Sequence, residues 1–175
     1  PNPQVRAQAA ISLTYLADPS TEDALVRALE DSEQTVRLSA ARTLGNLRSQ
    51  KAVKRLSEML AAEDVTTRQA AAAALERIAS HESLEPLKKA SGDPDPTVRQ
   101  QAVRGLASIG DKSAIDTLKA RLQDAEPQVK VQAAMALGRF GDSSGLPVGF
   151  ELLTSEVPLH RQQGSQIIGM LGDEA

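Results

Sequence analysis

Basic residues recur at a fixed interval along this chain, and a row of cations is the first candidate for chemistry because it could bind anions. Each lies 31 residues after the one before, and the set is Arg6, Arg37, Arg68, Arg99, Lys130 and Arg161. A structural role is favoured, because basic groups at one repeat position beside acids at another form the ion-pair ladder that stacked units need. We therefore expect these residues to fix the register of the fold.

No other pattern predicts an active site. Gly105 to Ser113 comes within one residue of a phosphate-binding loop, but Asp111 interrupts the motif, and such a loop must follow a β-strand. His81 and His160 have no second ligand at metal spacing, so neither a metal nor a cofactor is predicted. No carboxylate pair has an evident catalytic geometry, and the chain is not expected to be an enzyme.

The composition is that of a soluble protein poor in aromatic residues. The 175 residues carry a net charge of −3, aromatic side chains make up 2%, and there is no cysteine. Few aromatics favour stacked helices filled by Ala, Leu, Ile and Val.

The cellular compartment stays open, with a cytoplasmic location favoured. No apolar run approaches the roughly 18 residues that cross a bilayer, so membrane insertion is not expected. Because Pro1 stands in place of Met, we expect a piece of a longer chain.

The stretch from Asp95 to Asp111 reads as one complete helix. Asp95 can accept hydrogen bonds from the first turn, and Pro96 suits the first helical position. Gly110 suits the left-handed residue that ends a helix, and Asp111 can cap the next one. One face of the helix is apolar, and it consists of Val98, Ala102, Leu106 and Ile109.

The same pattern recurs along the whole sequence and predicts an all-α fold. A small residue follows each basic residue by three, at Ala9, Ala40, Ala71, Ala102, Ala133 and Gly164. A helical pattern with this period predicts an α-solenoid, in which each unit buries its apolar face against its neighbours. We predict a single domain of about five and a half helix pairs, with boundaries at 1–18, 19–48, 49–79, 80–110, 111–141 and 142–175.

Each unit also contains a second, shorter helix. Residues able to cap it recur at Asp18, Ser49, Ser80, Asp111 and Asp142. The pattern predicts five short helices between six longer ones. Pro86 and Pro147 lie within short helices, where each is expected to remove a backbone hydrogen bond and bend the helix.

The repeat Asp-Pro-x-x-Val-Arg-x-x-Ala-x-x-x-Leu-x-x-Ile-Gly-Asp resembles the HEAT-like repeats of phycobilisome lyases and of many bacterial and archaeal scaffold proteins. The resemblance covers nearly the whole chain. It implies a right-handed superhelix, with short helices on the convex side and longer helices lining a concave groove.

The resemblance also implies a ladder of Asp–Arg pairs between consecutive units. The matching pairs here are Asp31 with Arg37, Asp93 with Arg99, and Asp124 with Lys130. Ala62 and Ser155 replace the acid in the third and last copies, which leaves Arg68 and Arg161 without that partner.

With that geometry, positions one, two, five and nine after each basic residue face the groove. None of them is Asp or Glu, so the groove is expected to be positive. Apolar residues at both ends add candidate anchors. The candidate partner-binding residues are Tyr15, Leu38, Arg42, Asn46, Arg77, Gln100, Gln101, Arg104, Val131, Met135, Arg139, Gln162 and Met170.

These observations favour a scaffold that binds a protein or peptide partner in the groove, with an acidic partner among the candidates. For the row of groove arginines itself, which is Arg42, Arg77, Arg104 and Arg139, a merely solvated face is favoured over contact with an acidic protein segment. The resemblance leaves a bilin lyase or chaperone-like subunit for phycobiliproteins as an alternative. A nucleic-acid-binding HEAT-like protein is less favoured, because tracking a phosphate backbone needs denser Lys and Arg and stacking rings. End-to-end association of copies is also open, since neither end has a polar capping repeat.

Overall fold

The chain folds into helices throughout the residues that the structure, a computed structural model, describes, which are 2–13 and 19–172. Longer and shorter helices alternate in chain order, except that the first two are both ten residues long. Their bounds are α1 Pro3–Ser12, α2 Pro19–Ala28, α3 Gln34–Asn46, α4 Val53–Met59, α5 Val65–Ile78, α6 Leu84–Ala90, α7 Pro96–Ile109, α8 Ile115–Arg121, α9 Pro127–Arg139, α10 Leu146–Leu153 and α11 Pro158–Gly172. The predicted α-solenoid is confirmed, with α1 and the other odd-numbered helices as its long helices.

Helix α7 forms as its sequence predicts. The Asp95 carboxylate accepts a hydrogen bond from the Val98 N–H at 3.0 Å, and Pro96 opens the helix. Gly110 ends it with φ 76°, a left-handed conformation, and its N–H bonds to the Leu106 carbonyl. The cap and the terminator therefore lie where the sequence places them.

The short helices begin differently from the prediction. A single 3₁₀ turn precedes each of α4, α6, α8 and α10. The side chains of Ser80, Asp111 and Asp142 cap this turn, whereas Ser49 forms no capping bond; Asp18 lies outside the described residues. Pro86 and Pro147 fall in the first turn of their α-helices. Because first-turn N–H groups have no partner within the helix, the expected loss of a hydrogen bond does not occur.

The long helices pack on one another in sequence, and each short helix packs on the long helix that follows it. Ala40, Ala71, Ala102 and Ala133 are fully buried, as are Leu44, Leu75, Leu106 and Leu137. The small residue lets adjacent long helices approach, and the leucine fills the space between the long and short layers. The core therefore runs along the stack as one repeated layer.

Candidate functional site

The ion-pair ladder links three of the long helices, α1, α5 and α7, each to the loop that follows the next short helix. Bidentate pairs join Arg6 to Asp31, Arg68 to Asp93 and Arg99 to Asp124, with N–O distances of 2.7–3.2 Å. The predicted side-chain pairing of Asp31 with Arg37, of Asp93 with Arg99 and of Asp124 with Lys130 is therefore wrong. Each of these aspartates binds the arginine 25 residues before it.

Backbone hydrogen bonds explain this direction. The Asp31 carboxylate accepts the Glu33 N–H, which turns it away from Arg37. Arg37 instead donates to the carbonyl oxygens of Asp31 and Ser32. The same two carbonyl contacts recur at Arg68, Arg99 and Arg161. These four arginines thus brace the loop before their own helix, and Arg68 and Arg99 also reach the carboxylate of the next unit.

The gaps in the ladder consequently lie one unit earlier than predicted. Arg68, expected to lack a carboxylate, binds Asp93. Within the described residues, Arg37 and Lys130 form no ion pair, because Ala62 and Ser155 occupy the equivalent of the Asp position. Ser155 instead bonds to the His160 ring at 3.0 Å.

The most buried ladder carboxylate is that of Asp124, whose side chain is 2% exposed. Burial acts to raise its pKa, but hydrogen bonds from Arg99 and from the Glu126 N–H outweigh burial, and the pKa is lowered. For Asp31, the hydrogen bonds from Arg6 lower the pKa to about 2. The three ladder pairs are thus occupied with one another, which favours their structural interpretation.

A separate set of four arginines lies on the outer surface of the long helices and is called the arginine face here: Arg42, Arg77, Arg104 and Arg139. All four are exposed, and each belongs to a different one of the consecutive helices α3, α5, α7 and α9. In the described chain, Arg42, Arg77 and Arg139 form no ion pair or side-chain hydrogen bond. They are therefore available to a ligand.

Two shallow cavities divide the arginine face. The first arginine cavity, of about 310 Å³, lies across α3, α5 and α7 and is lined by Leu38, Arg42, Thr66, Gln69, Ala70, Ala73, Arg77 and Gln101. The second arginine cavity, of about 230 Å³, lies across α5, α7 and α9 and is lined by Glu76, Arg104, Ala107, Ser108, Gln132, Met135, Ala136 and Arg139. Both are formed by long helices alone.

Glu76 is an acid in the surface expected to have none. Its side chain, 18% exposed, bonds to Arg104 at 2.9 Å, and burial raises its pKa despite the nearby arginines. It follows Arg68 by eight residues, a position not counted among those facing the groove. A signal was present in the sequence, since four of the five other units have Gly or Ala at the equivalent position: Gly45, Ala107, Gly138 and Gly169.

The positions one and two after the basic residue are partly covered by neighbouring helices. Gln69 donates to Asp95 at the start of α7, so its position faces the next long helix. Val131, at the same position of α9, is 3% exposed, and its prediction as an exposed anchor is wrong. Gln100 and Gln101 are half-buried, and the Gln101 amide oxygen has no hydrogen-bond partner within the described structure.

The remaining candidates are spread along the long helices. Asn46 and Gln162 are exposed, while Met170 is half-buried and packs beside Gly138, where an added Cβ would lie 3.2 Å from the Met170 Cβ. Leu38 and Met135 are half-buried and each lines one arginine cavity. Tyr15 lies outside the described residues.

Neither a metal cluster nor a membrane-spanning helix occurs in the described parts of the chain. No group of three or more His, Asp or Glu side chains is placed to hold a metal ion there. His81 bonds to Asp111 at 2.9 Å and is largely exposed. None of the described helices is both long enough and apolar enough to cross a bilayer.

The sequence matches the family model of HEAT repeats over residues 1–76, 56–129 and 115–175. The chain belongs to the HEAT-repeat family. This HEAT-repeat chain is similar to the structure of the complex of CpcE and CpcF of phycocyanin lyase from Nostoc sp. PCC7120, with a TM-score of 0.74 and 25% identity over 98% of this chain and 73% of that one. The predicted resemblance to HEAT-like repeats of the phycobilisome-lyase type is thereby confirmed.

Two further likenesses concern the fold alone. A designed armadillo repeat protein in complex with the peptide (KR)4 gives a TM-score of 0.76 at 17% identity, over 96% of this HEAT-repeat chain and 92% of the designed one. The Escherichia coli protein YibA gives 0.73 at 20% identity, over 98% and 72% of the two chains. A comparison with curated protein sequences gave no significant match.

Proposed function

We propose that this HEAT-repeat protein is a non-catalytic interaction module that binds a segment of a partner protein along the arginine face. The observation that carries the proposal is that Arg42, Arg77 and Arg139 are exposed without a bonding partner in the described chain, whereas the ladder arginines are engaged. Guanidinium groups bind carboxylates through paired hydrogen bonds, and arginine is enriched at the energetic centres of protein interfaces.

The dimensions and neighbours of these arginines suit a peptide segment. At about 10 Å per stacked helix pair, four long helices present a face roughly 40 Å long, enough for an extended strand or a short helix. Leu38 and Met135 supply partly exposed apolar surface beside the charges. A protein interface has two components: charges that set the orientation of the partner, and apolar surface that is buried on contact.

Charge reversal on the first arginine cavity tests the proposal. A tagged Arg42→Glu, Arg77→Glu variant should lose the partners that the unmodified protein retains from a lysate of its source organism. Its melting temperature should stay unchanged, because neither side chain has a bonding partner in the described fold. Arg104 is unsuitable for reversal, since a new carboxylate there would face Glu76.

The matched control reverses two cations on the other layer. Lys54 in α4 and Lys112 before α8 are both exposed, so Lys54→Glu, Lys112→Glu changes the net charge equally. This control should keep the partners. Equal retention by both variants would place binding outside the arginine face and overturn the proposal.

A second candidate function is that of a bilin lyase or chaperone-like subunit for phycobiliproteins. The likeness to the CpcE and CpcF complex over 98% of the chain favours it. The test is to incubate the protein with a bilin and apo-phycocyanin and to record the visible absorption spectrum. A coloured covalent adduct would support this candidate, and its absence would discard it.

We also propose end-to-end association of copies as a secondary property. Phe150, Leu153, Val157 and Leu159 of the last helix pair are 38–57% exposed, and Val5 in α1 is 61% exposed. Phe150 and Leu159 occupy positions that are Lys119 and Gln128 one unit earlier. Phe150→Lys, Leu159→Gln should therefore abolish concentration-dependent oligomers in light scattering. Oligomers that persist in this variant would exclude this surface.

A further inference from the structure

The arginines of the arginine face repeat every two units rather than every unit. Arg42 and Arg104 are separated by 62 residues, as are Arg77 and Arg139. The intervening units have Ala73 and Ser108 at the equivalent positions. A partner therefore meets charge in a pattern with twice the period of the fold.

The cavities group these arginines into two pairs. Arg42 and Arg77 line the first arginine cavity, and Arg104 and Arg139 line the second. Glu76, which precedes Arg77 on α5, lines the second arginine cavity and bonds to Arg104 there. The face is thus two cationic subsites, of which only the second contains a carboxylate.

We propose that the partner segment is an extended acidic peptide whose two acidic clusters bind the two arginine pairs. This inference rests on the proposed function and adds the chemistry and spacing of the ligand. Two stacked helix pairs separate equivalent subsites by roughly 20 Å. An extended chain rises about 3.3 Å per residue, so the clusters lie about six residues apart.

The two subsites differ in strength. No acid lines the first arginine cavity, which leaves both guanidinium groups free for the peptide. In the second, Glu76 already neutralises Arg104, so a peptide carboxylate must compete with it. The pair Arg42 and Arg77 therefore binds its acidic cluster more tightly, which fixes the direction of the peptide along the face.

Nucleic acid fits these observations less well. A phosphate backbone presents charge at every nucleotide, whereas this face presents two cationic pairs, the second of them paired in part with Glu76. The chain carries a net charge of −3, and aromatic residues, on which bases would stack, make up 2% of it. A peptide with separated acidic clusters matches the spacing of the two pairs.

Fluorescence anisotropy with synthetic peptides tests the inference. The first probe carries two glutamate pairs centred about six residues apart in a Ser/Gly background. A second probe has the same composition with the glutamates spread evenly, and a third has Gln in place of Glu. We expect the first probe to bind about fivefold more tightly than the second, and the Gln probe to bind weakest.

Variants of the protein assign the two subsites. Arg42→Gln, Arg77→Gln should weaken the first probe about tenfold, and Arg104→Gln, Arg139→Gln about threefold. Glu76→Gln should strengthen it about threefold, because it releases Arg104. A gain of affinity cannot come from unfolding. Lys54→Gln, Lys112→Gln, which remove equal charge from the short-helix layer, should change nothing.

Each alternative outcome is decisive. Equal binding of the paired and even probes would overturn the two-cluster spacing. Binding of the Gln probe at equal strength, or no loss in the arginine variants, would overturn the acidic ligand. Tighter binding of an oligonucleotide of equal charge would assign the face to nucleic acid. Partner capture from lysate is a separate measurement, so the proposed function and this inference can fail independently.

Discussion

At the scale of single residues, the ladder carboxylates differ in how far they are withdrawn from water. The Asp124 side chain is 2% exposed and that of Asp31 is 15% exposed, although each forms a bidentate pair with an arginine. Asp124→Asn preserves the shape but leaves the Arg99 guanidinium, only 13% exposed, without its anion. We expect the free energy of unfolding, measured with urea, to fall by about 2 kcal/mol.

The comparison is with Asp31→Asn. This substitution removes an equivalent charge at a site where water can partly replace the lost partner, so the loss should be smaller. An equal loss for the two variants would mean that burial does not determine the strength of the ladder.

Acid should weaken the fold by protonating carboxylates that are paired with a cation in the folded state. Hydrogen bonds from Arg6 lower the pKa of Asp31 to about 2, and a hydrogen bond from Lys119 lowers the pKa of Asp142 to about 2. A carboxyl group whose pKa is lower in the folded state stabilises the fold above its unfolded pKa, and this contribution is lost as the pH falls through the folded pKa. The free energy of unfolding should therefore decline between about pH 4 and about pH 2.

Removing both carboxyl groups isolates their contribution to this decline. Asp31→Asn, Asp142→Asn should be less stable than the unmodified protein at pH 7 and should lose less stability on acidification. Urea denaturation at a series of pH values measures both. A decline as steep as that of the unmodified protein would assign acid sensitivity to other groups.

The sequence predicted which residues form the ladder better than it predicted their partners. Asp31 lies six residues before Arg37 and 25 after Arg6, and spacing along a chain cannot say which arginine its carboxylate faces. A backbone hydrogen bond from Glu33 decides the matter. The 31-residue period likewise indicated which positions vary between units. It did not indicate Glu76, which occupies a position where most other units have a small residue.

At the scale of elements, a residue at or just past the end of the long helices α3, α5, α7 and α9 is held in the left-handed conformation. Arg48, Ala79, Gly110 and Gly141 have φ values of 52°, 49°, 76° and 73° at equivalent positions. Gly110→Ala should lower the free energy of unfolding by about 1 kcal/mol, because a Cβ disfavours this conformation. No atom lies within 4 Å of the added Cβ, so a steric clash does not contribute.

The reverse change at the equivalent residue is the matched test. Ala79→Gly should raise the free energy of unfolding by about 0.5 kcal/mol, since relief of the left-handed strain exceeds the extra entropy of glycine in the unfolded chain. Thermal and urea denaturation of both variants measure the two changes. Changes of the same sign would contradict the explanation.

The long helices were predictable because their signals are local. A capping side chain, an apolar face and a terminating glycine all lie within one helix, as in α7. The exposure of a helix surface is not local, since it depends on how closely the next unit packs. Val131 is buried and Arg139 exposed on the same helix α9, although both positions were expected to face the groove.

At the scale of the whole molecule, the described fold is a linear stack in which each long helix packs against the long helices before and after it. The order of the stack followed from the period alone, because the same face recurs every 31 residues. The ligand could not be predicted from the period. A period identifies the positions that packing fixes, and it assigns no role to the remaining positions. The two-unit recurrence of the arginine pairs has a structural meaning because each of the two cavities is lined by one pair.

A linear stack should also lose stability locally. Helices α5 and α7 pack between long helices on both sides, whereas α1 packs against α3 alone among them. Amide hydrogen exchange followed by mass spectrometry should therefore find the strongest protection in α5 and α7 and weaker protection in α1. The Asp124→Asn variant supplies a perturbation at a known point, since it removes the ion pair between α7 and the loop before α9. Protection should fall from α8 onward and stay nearly unchanged in α3. A uniform loss along the chain would mean that the whole stack unfolds as one cooperative unit.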